Sequence, residues 1–530
     1  MKNMPSTIVN QSRFSTVPRA DIPRSTFNRS HGIKTTFNAG FLVPFFVDEV
    51  LPGDTFNAKL TAFARLATPL QPFMDNLYLD TFFFFVPNRL TWLNWEKFNG
   101  EQNNPGDSTS FLVPQSVSPA GGYVNGTLQD YMGLPTQIPG LTHSCLPLRA
   151  YNLIWNEWFR DQNLQTSITT GLGDGPDAST AFNLLRRGKR HDYFTSCLPF
   201  PQKGPAVPLP LGSTAPVISN NTGIRLSDGT TSGITKQVLN GGFPTMQTEN
   251  VAAGVNLRFD GTNTGLIADL SSSTAATINQ IRQAFQIQKL YERDARGGTR
   301  YTEIILSHFG VQSDDARLQR PEYLGGGSSP VVINPVAQTS AVSGQPTPQG
   351  NLAAIGTVVV NNHGFTKSFT EHGHIIGMLS VRADLTYQQG LNRMWSRSTR
   401  FDFYWPALAH IGEQAVLNKE IYAVGTSGGG VTQDNAVFGY QERFAEYRYK
   451  PSQITGQFRS NFAQTLDSWH LAQNFTSLPL LNSTFIQENP PVARVIAIST
   501  APHFILDGYM KLITARPMPV NSVPGLVDHF

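Results

Sequence analysis

Cysteine is nearly absent: Cys145 and Cys197 are the only two in 530 residues. Two thiols cannot build a disulfide framework in a chain this long. They read as small buried hydrophobes of a reducing compartment. Charge is also scarce, at 15% of residues against about 25% in ordinary soluble domains. With so little charge to cover its exterior, much of the surface is expected to meet something other than water. The net charge of +3 excludes a polybasic protein that compacts nucleic acid by itself. No stretch approaches the roughly 18 apolar residues of a membrane span. Met1 to Val9 lacks the apolar centre of a secretory signal, so no leader is expected. Gly-X-Y and heptad repeats are missing, which removes collagen and coiled coil.

The motifs of catalysis are missing as well. His363, Glu371, His372 and His374 form the densest histidine group. They match no H-E-x-x-H spacing and have no cysteine partner, so no zinc site is expected. The run Gly425 to Gly430 lacks the Gly-Lys-Ser/Thr ending of a phosphate loop and reads as a turn. Asp314-Asp315 reads as a solvated helix start rather than a cation site. Neither a catalytic residue, a metal nor a cofactor is assigned.

What is abundant is phenylalanine, at 35 residues beside 7 Trp and 15 Tyr. Such aromatic content excludes general disorder and supplies a core. Phe56, Ala58, Leu60, Ala62, Ala64 and Leu66 alternate along one face, as in a half-buried strand. Leu77 to Val86, with Phe82-Phe83-Phe84-Phe85, is continuously apolar and reads as a strand buried on both faces. His374–Tyr387 and Val492–Ala515 are further strand candidates. Strands from both ends of the chain must then share one core, which points to the sandwich class of β folds. Helices are few: one over Leu148 to Phe159, and one over Ile278 to Arg296 with a Thr277/Gln280 capping box and a Gly297-Gly298 stop.

Four segments emerge. Residues 1–40 carry Lys2, Arg13, Arg19, Arg24, Arg29 and Lys34 against Asp21 alone and read as an extended basic arm. The arm is either solvated or in contact with phosphate or a neighbouring subunit. Residues 41–203 form the first part of the core and 278–530 the second. Between them, residues 204–277 hold 10 Gly, 18 Ser or Thr and 6 Asn. They read as a turn-rich surface insertion with small strands, or as an interdomain linker. Gly325 to Gly350 looks like a long exposed connection.

Two basic clusters stand beside aromatics, a pairing that can grip a phosphate chain and stack bases. The first is Arg186-Arg187-Gly188-Lys189-Arg190-His191, followed by Tyr193 and Phe194. The second is Arg382, Arg393, Arg397 and Arg400 around Trp395. Arg13, Arg19, Arg24, Arg29, Arg186, Arg187, Lys189 and Arg190 are the candidate nucleic-acid contacts.

The chain resembles the major capsid protein of the Microviridae, gokushovirus branch. The stretches that carry the resemblance are Arg13-Phe14-Ser15, Arg187 to Gly204, Lys289 to Tyr301, His308 to Val311, Arg320 to Gly326, and Pro502 to Pro519. The resemblance implies an eight-stranded antiparallel viral jelly roll with long inter-strand insertions. It implies sixty copies, grouped as pentamers, in a T=1 shell around circular single-stranded DNA. It further implies a small basic packaging protein and scaffolding partners, assembly in the bacterial host cytoplasm, and an insertion that forms three-fold protrusions for a host receptor. Sixty subunits at +3 would carry 180 charges, while a genome encoding this chain alone needs 3 × 530 = 1,590 phosphates. Packaging then needs other cations. The competing readings are a lectin-like β-sandwich with the insertion as its binding face, and a glycan-cleaving β-sandwich enzyme, for which no carboxylate pair can be placed.

Overall fold

The computed structural model describes residues 23–207, 278–312, 319–340, 344 and 349–521, with short strands inside 217–268. It divides into two compact units: residues 1–201 with 299–530, and Gln202–Gly298.

The first unit is built on one antiparallel sheet. Its strands are β1 (Ser25–Asn28), β2 (His31–Phe37), β3 (Val43–Val50), β4 (Thr55–Leu66), β5 (Leu77–Pro87), β6 (Glu322–Ala337), β7 (Leu352–Ser368), β8 (Gly373–Ala383) and β9 (Phe504–Arg516). The spatial order is β1, β9, β4, β7, β6, β5, β8, β3, with β2 also on β9. β1 and β2 pair with successive halves of β9. They act as one interrupted edge strand, so nine strands fill eight positions of a curled, jelly-roll-like sheet.

Side chains bring the two ends of this path together. Arg29 between β1 and β2 makes a two-pronged ion pair with Asp48 of β3, at 2.6 and 2.8 Å. His31 stacks on Phe46 at 6.1 Å. Arg516 donates to the Glu49 carbonyl at 2.7 Å. The basic arm is therefore shorter than residues 1–40: Ser25–Phe37 is sheet, because its alternate residues pair along β9.

Burial explains the two strand patterns. In β4 every second residue from Phe56 to Leu66 is buried and the residues between face outward. In β5 Phe83 and Phe85 join the interior of the curled sheet. Phe84 and Val86 face the other way, into a second cluster with Leu148, Tyr151 and Trp155. That cluster lies under α1 (Leu146–Ile154), whose last turn widens into a π-turn at Trp155–Phe159. β8 is sandwiched in the same manner, with Ile375 and Leu379 inside and Ile376 and Met378 under α1. Burying such side chains contributes about 1.5–3 kcal/mol each. Around Phe83 the rings of Phe45 and Phe365 pack at 5.5 and 5.3 Å.

Two expectations are corrected. Gly325 to Gly350 is not an exposed connection at its start, since β6 runs through Gly325 and Gly326. A Cβ on Gly326 would sit 2.0 Å from the Thr81 carbonyl, and one on Gly325 2.6 Å from the Gly364 carbonyl. These glycines mark a close strand approach beside the register shift at Tyr323/Gly325. The strand expected over Val492–Ala515 begins only at Phe504, because Pro490 and Pro491 precede a helical turn at Val492–Arg494.

The second unit is longer than the 204–277 insertion, since it includes α2 (Ile278–Arg296). Its short strands pair in a nested order. Val217–Ser219 pairs with Leu266–Ala268, Leu226–Ser227 with Arg258–Phe259, and Val238–Leu239 with Gln247–Thr248. That order is one interrupted hairpin folded back on itself. The dipeptides Asp228-Gly229, Asn240-Gly241 and Asp260-Gly261 lie outside the described residues, as do Thr277 and Asp314-Asp315. α2 ends at Gly297-Gly298, with Gly298 at φ +93°. Its apolar stripe stays open: Phe285 is 64% exposed.

Candidate nucleic-acid interface

Of the arm residues, Arg13 and Arg19 lie outside the described residues. Arg24 donates to the Thr55 hydroxyl at 2.5 Å, and Arg29 holds Asp48 as described.

The run at 186–190 is threaded between sheet and loop rather than laid on the surface as a patch. Arg186 donates to the Glu488 carbonyl at 3.0 Å and covers the Phe41 ring at 4.0 Å. Arg187 pairs with Asp80 at 2.6 Å. Lys189 is buried over the Phe485 ring at 4.3 Å. Burial lowers its pKa, opposed by the charge of Glu488. Glu488 is itself buried, which raises its pKa against the pull of Arg187 and Lys189. Only Arg190 of this run is exposed. The cations and their counter-charges are far apart in sequence, so a linear reading sees the basic run without Asp80 and Glu488.

The second cluster is similarly engaged. Arg382 pairs with the same Asp80 oxygen at 2.9 Å. Arg393 reaches Glu420 at 2.9 Å, and Arg397 reaches Glu446 at 3.2 Å. The Tyr193 hydroxyl donates to Glu420 at 2.8 Å, and Gln414 to Glu446 at 2.6 Å. Burial raises the Glu420 pKa, with Arg393 opposing it. Arg400 packs over Trp405 at 4.7 Å.

Beside this network lies a cavity of about 260 Å³, lined by the 387–395 and 449–459 segments together with Tyr193, Phe194, Glu420 and Glu446. Trp395 and Tyr449 stand at it with exposed rings, and Tyr387 forms part of its buried wall. Lys450 and Arg459 line it without a carboxylate partner among the described residues. Arg459 donates to the Gln388 carbonyl at 2.8 Å. Sequence inspection finds Trp395 and Arg393 but not Lys450, Arg459 or Tyr449, which lie about sixty residues later without a local motif.

The histidine group does not converge. His363 sits between the Thr81 and Ser329 hydroxyls at 2.9 and 3.3 Å. Glu371 pairs with Arg89 at 2.9 Å, and His372 packs against Trp95. Among the described residues no group of three or more His, Cys, Asp or Glu is placed to hold a metal. Both cysteines are buried and free. Burial pushes the Cys145 thiol up to about 12.

His374 carries a pH consequence. Burial within β8 lowers its pKa from 6.5 to about 4, with Asp48 opposing the shift. The unfolded chain binds a proton near pH 6.5 that the folded chain refuses until about pH 4. Stability is thus full above pH 6.5 and falls as pH drops through that window. Between pH 7.5 and 5 this one group is expected to remove about 2 kcal/mol. Urea midpoints of unassembled subunits at the two pH values check this, and His374→Gln should remove that share of the pH dependence.

The fold is that of a mainly-β, jelly-roll-type shell subunit. Residues 15–526 match the family model described as capsid protein (F protein) of phages. The chain is 50% identical to "Capsid protein VP1" of Bdellovibrio phage phiMH2K, over 98% of this chain and 99% of that one. It is 46% identical to "Capsid protein VP1" of Chlamydia phage 1, over 99% of each chain. With the protein of the same name from Spiroplasma virus 4 the identity is 39%, over 97% of each. The chain belongs to this phage capsid protein family, in the gokushovirus type of the Microviridae. It is a structural protein of the virion, not a member of an enzyme family.

Proposed function

We propose that this chain is the major repeating brick of a T=1 shell, sixty copies grouped as pentamers around circular single-stranded DNA. The observation that carries the reading is the end-to-end similarity, at 39–50% identity, to three proteins named as capsid VP1. Architecture supports it. Charge is sparse, and exposed aromatics such as Phe309, Phe401 and Phe403 suit burial between neighbouring copies.

The internal ion pairs deepen the charge argument. Arg29, Arg149, Arg187, Arg382, Arg393 and Arg397 all face acidic partners. Fewer cations remain for a genome than the basic runs suggest, so a separate small basic protein, polyamines or metal ions supply the rest. Of the arm and the 186–190 run, Arg13, Arg19, Arg24 and Arg190 are the remaining candidates for DNA contact. The 204–277 insertion serves attachment to a host receptor, scaffolding proteins assist, and assembly takes place in the bacterial cytoplasm.

Negative-stain images and light scattering of purified chain test the reading. Closed shells or pentamers are expected, and raising salt should cost only a modest fraction of shells, since buried area outweighs surface ion pairs. Material that stays monomeric at every concentration would remove the reading. Deleting residues 212–270 should leave shells intact and abolish attachment.

A further inference from the structure

The cavity beside Arg393 has a chemistry the ion-pair network leaves over. Both lining carboxylates are already satisfied: Glu420 by Arg393 and Tyr193, Glu446 by Arg397 and Gln414. No free carboxylate remains there to bind sugar hydroxyls or a cation. The groups left over are of two kinds. One is cationic, Lys450 and Arg459, without carboxylate partners among the described residues. The other is aromatic: Trp395 is 71% and Tyr449 38% exposed, with Tyr193 behind Tyr449 at 5.9 Å. Cations and open π faces with no spare acceptor charge select a ligand that is planar and anionic. A volume of about 260 Å³ lies just below the usual range of small-molecule sites, roughly 300–1,000 Å³, and suits one nucleotide rather than a duplex.

We propose that this cavity seats one nucleotide of single-stranded nucleic acid, its base stacked on Trp395 and Tyr449 and its phosphate held by Lys450 and Arg459. The site rests on the reading that the shell encloses single-stranded DNA, and gives each subunit a fixed point of contact with it. Because stacking accepts any base, such a site holds a genome without reading its sequence.

The test is anisotropy of a labelled octathymidylate titrated with full-length, unassembled subunits, with thymidine monophosphate as a competitor. Trp395→Ala is expected to weaken binding about tenfold or more, the worth of one stacked base, and Trp395→Phe to restore most of it. Lys450→Gln should lower the slope of log affinity against log salt by about 0.7, one phosphate contact on a single strand. Lys511→Gln, an exposed cation elsewhere, should leave the effect of Trp395→Ala unchanged. Competition by thymidine monophosphate at low concentration supports the site and assigns it to a free nucleotide. Competition only by the oligomer supports it and assigns it to the strand. Binding unaltered by Trp395→Ala and Lys450→Gln, in variants with unchanged melting curves, overturns the proposal. Equal displacement by an acidic peptide does too, because charge alone would then explain the binding. Shell formation is scored separately on the same material. Shells with no cavity effect sink only this proposal, and failure to form shells sinks only the capsid architecture.

Discussion

Replacing Arg149 by methionine is expected to cost about 3–5 kcal/mol of folding free energy. Arg149 lies on α1 and is fully buried. Its guanidinium makes two parallel bonds to Asp177, at 2.6 and 2.7 Å. It also donates to the carbonyls of Thr91 and Gly173, at 3.0 and 2.9 Å. One side chain thus ties two separate segments, the 173–177 loop and the turn at Thr91, to the helix over the sheet. Methionine fills much of the same volume but leaves the Asp177 carboxylate and two carbonyls without their donor. Burial of such a charge without a partner is what makes breaking a pair costly, whereas replacing both partners by apolar groups is often neutral. Chemical denaturation of unassembled subunits is the measurement. Arg149→Met with Asp177→Leu should recover a large part of the loss. Equal instability of the single and double variants would mean that packing, and not the ion pair, holds the loops.

Asp80→Ala should produce a loss of the same order, about 3–5 kcal/mol. The Asp80 carboxylate on β5 receives both Arg187 and Arg382 on one oxygen, at 2.6 and 2.9 Å. Arg382 on the neighbouring β8 also lies over the Tyr78 ring at 4.3 Å. Without Asp80, two nearly buried guanidiniums face each other, and only Arg382 keeps a carboxylate contact, the longer one to Asp384 at 3.7 Å. Asp80→Asn retains an acceptor and should fall between the two. The loss should change little with added salt, because buried pairs are screened weakly. Arg187→Gln should lower the unfolding midpoint yet leave oligonucleotide affinity unaltered. A normal midpoint with weakened affinity would return Arg187 to the DNA surface.

The strands β4 and β5 were legible because burial is written directly in their residue order. β4 has one wet face, so its apolar residues alternate. β5 is covered on both faces, by the interior of the sheet and by α1, so its run is continuous. β6 was illegible for a physical reason of its own. Gly325 and Gly326 are required where two backbones close to within a Cβ diameter, and a glycine needed for close approach has the same composition as one needed for a turn. The basic run at 186–190 was visible, but not its engagement. Asp80 and Glu488 come from strand and loop more than a hundred residues away on either side. The cavity residues Trp395 and Lys450 are joined only by the fold.

By itself the sequence determined the class of this protein: a phenylalanine-rich β core and the blocks shared with phage capsid subunits. Each of these is local, since periodicity, composition and motif need only neighbours along the chain. Tertiary structure alone decided which cations are consumed inside and which remain available. The field on a charge depends on what lies within a few ångströms, and in a curled sheet where the last strand of the chain pairs with the first, those neighbours come from anywhere in the chain.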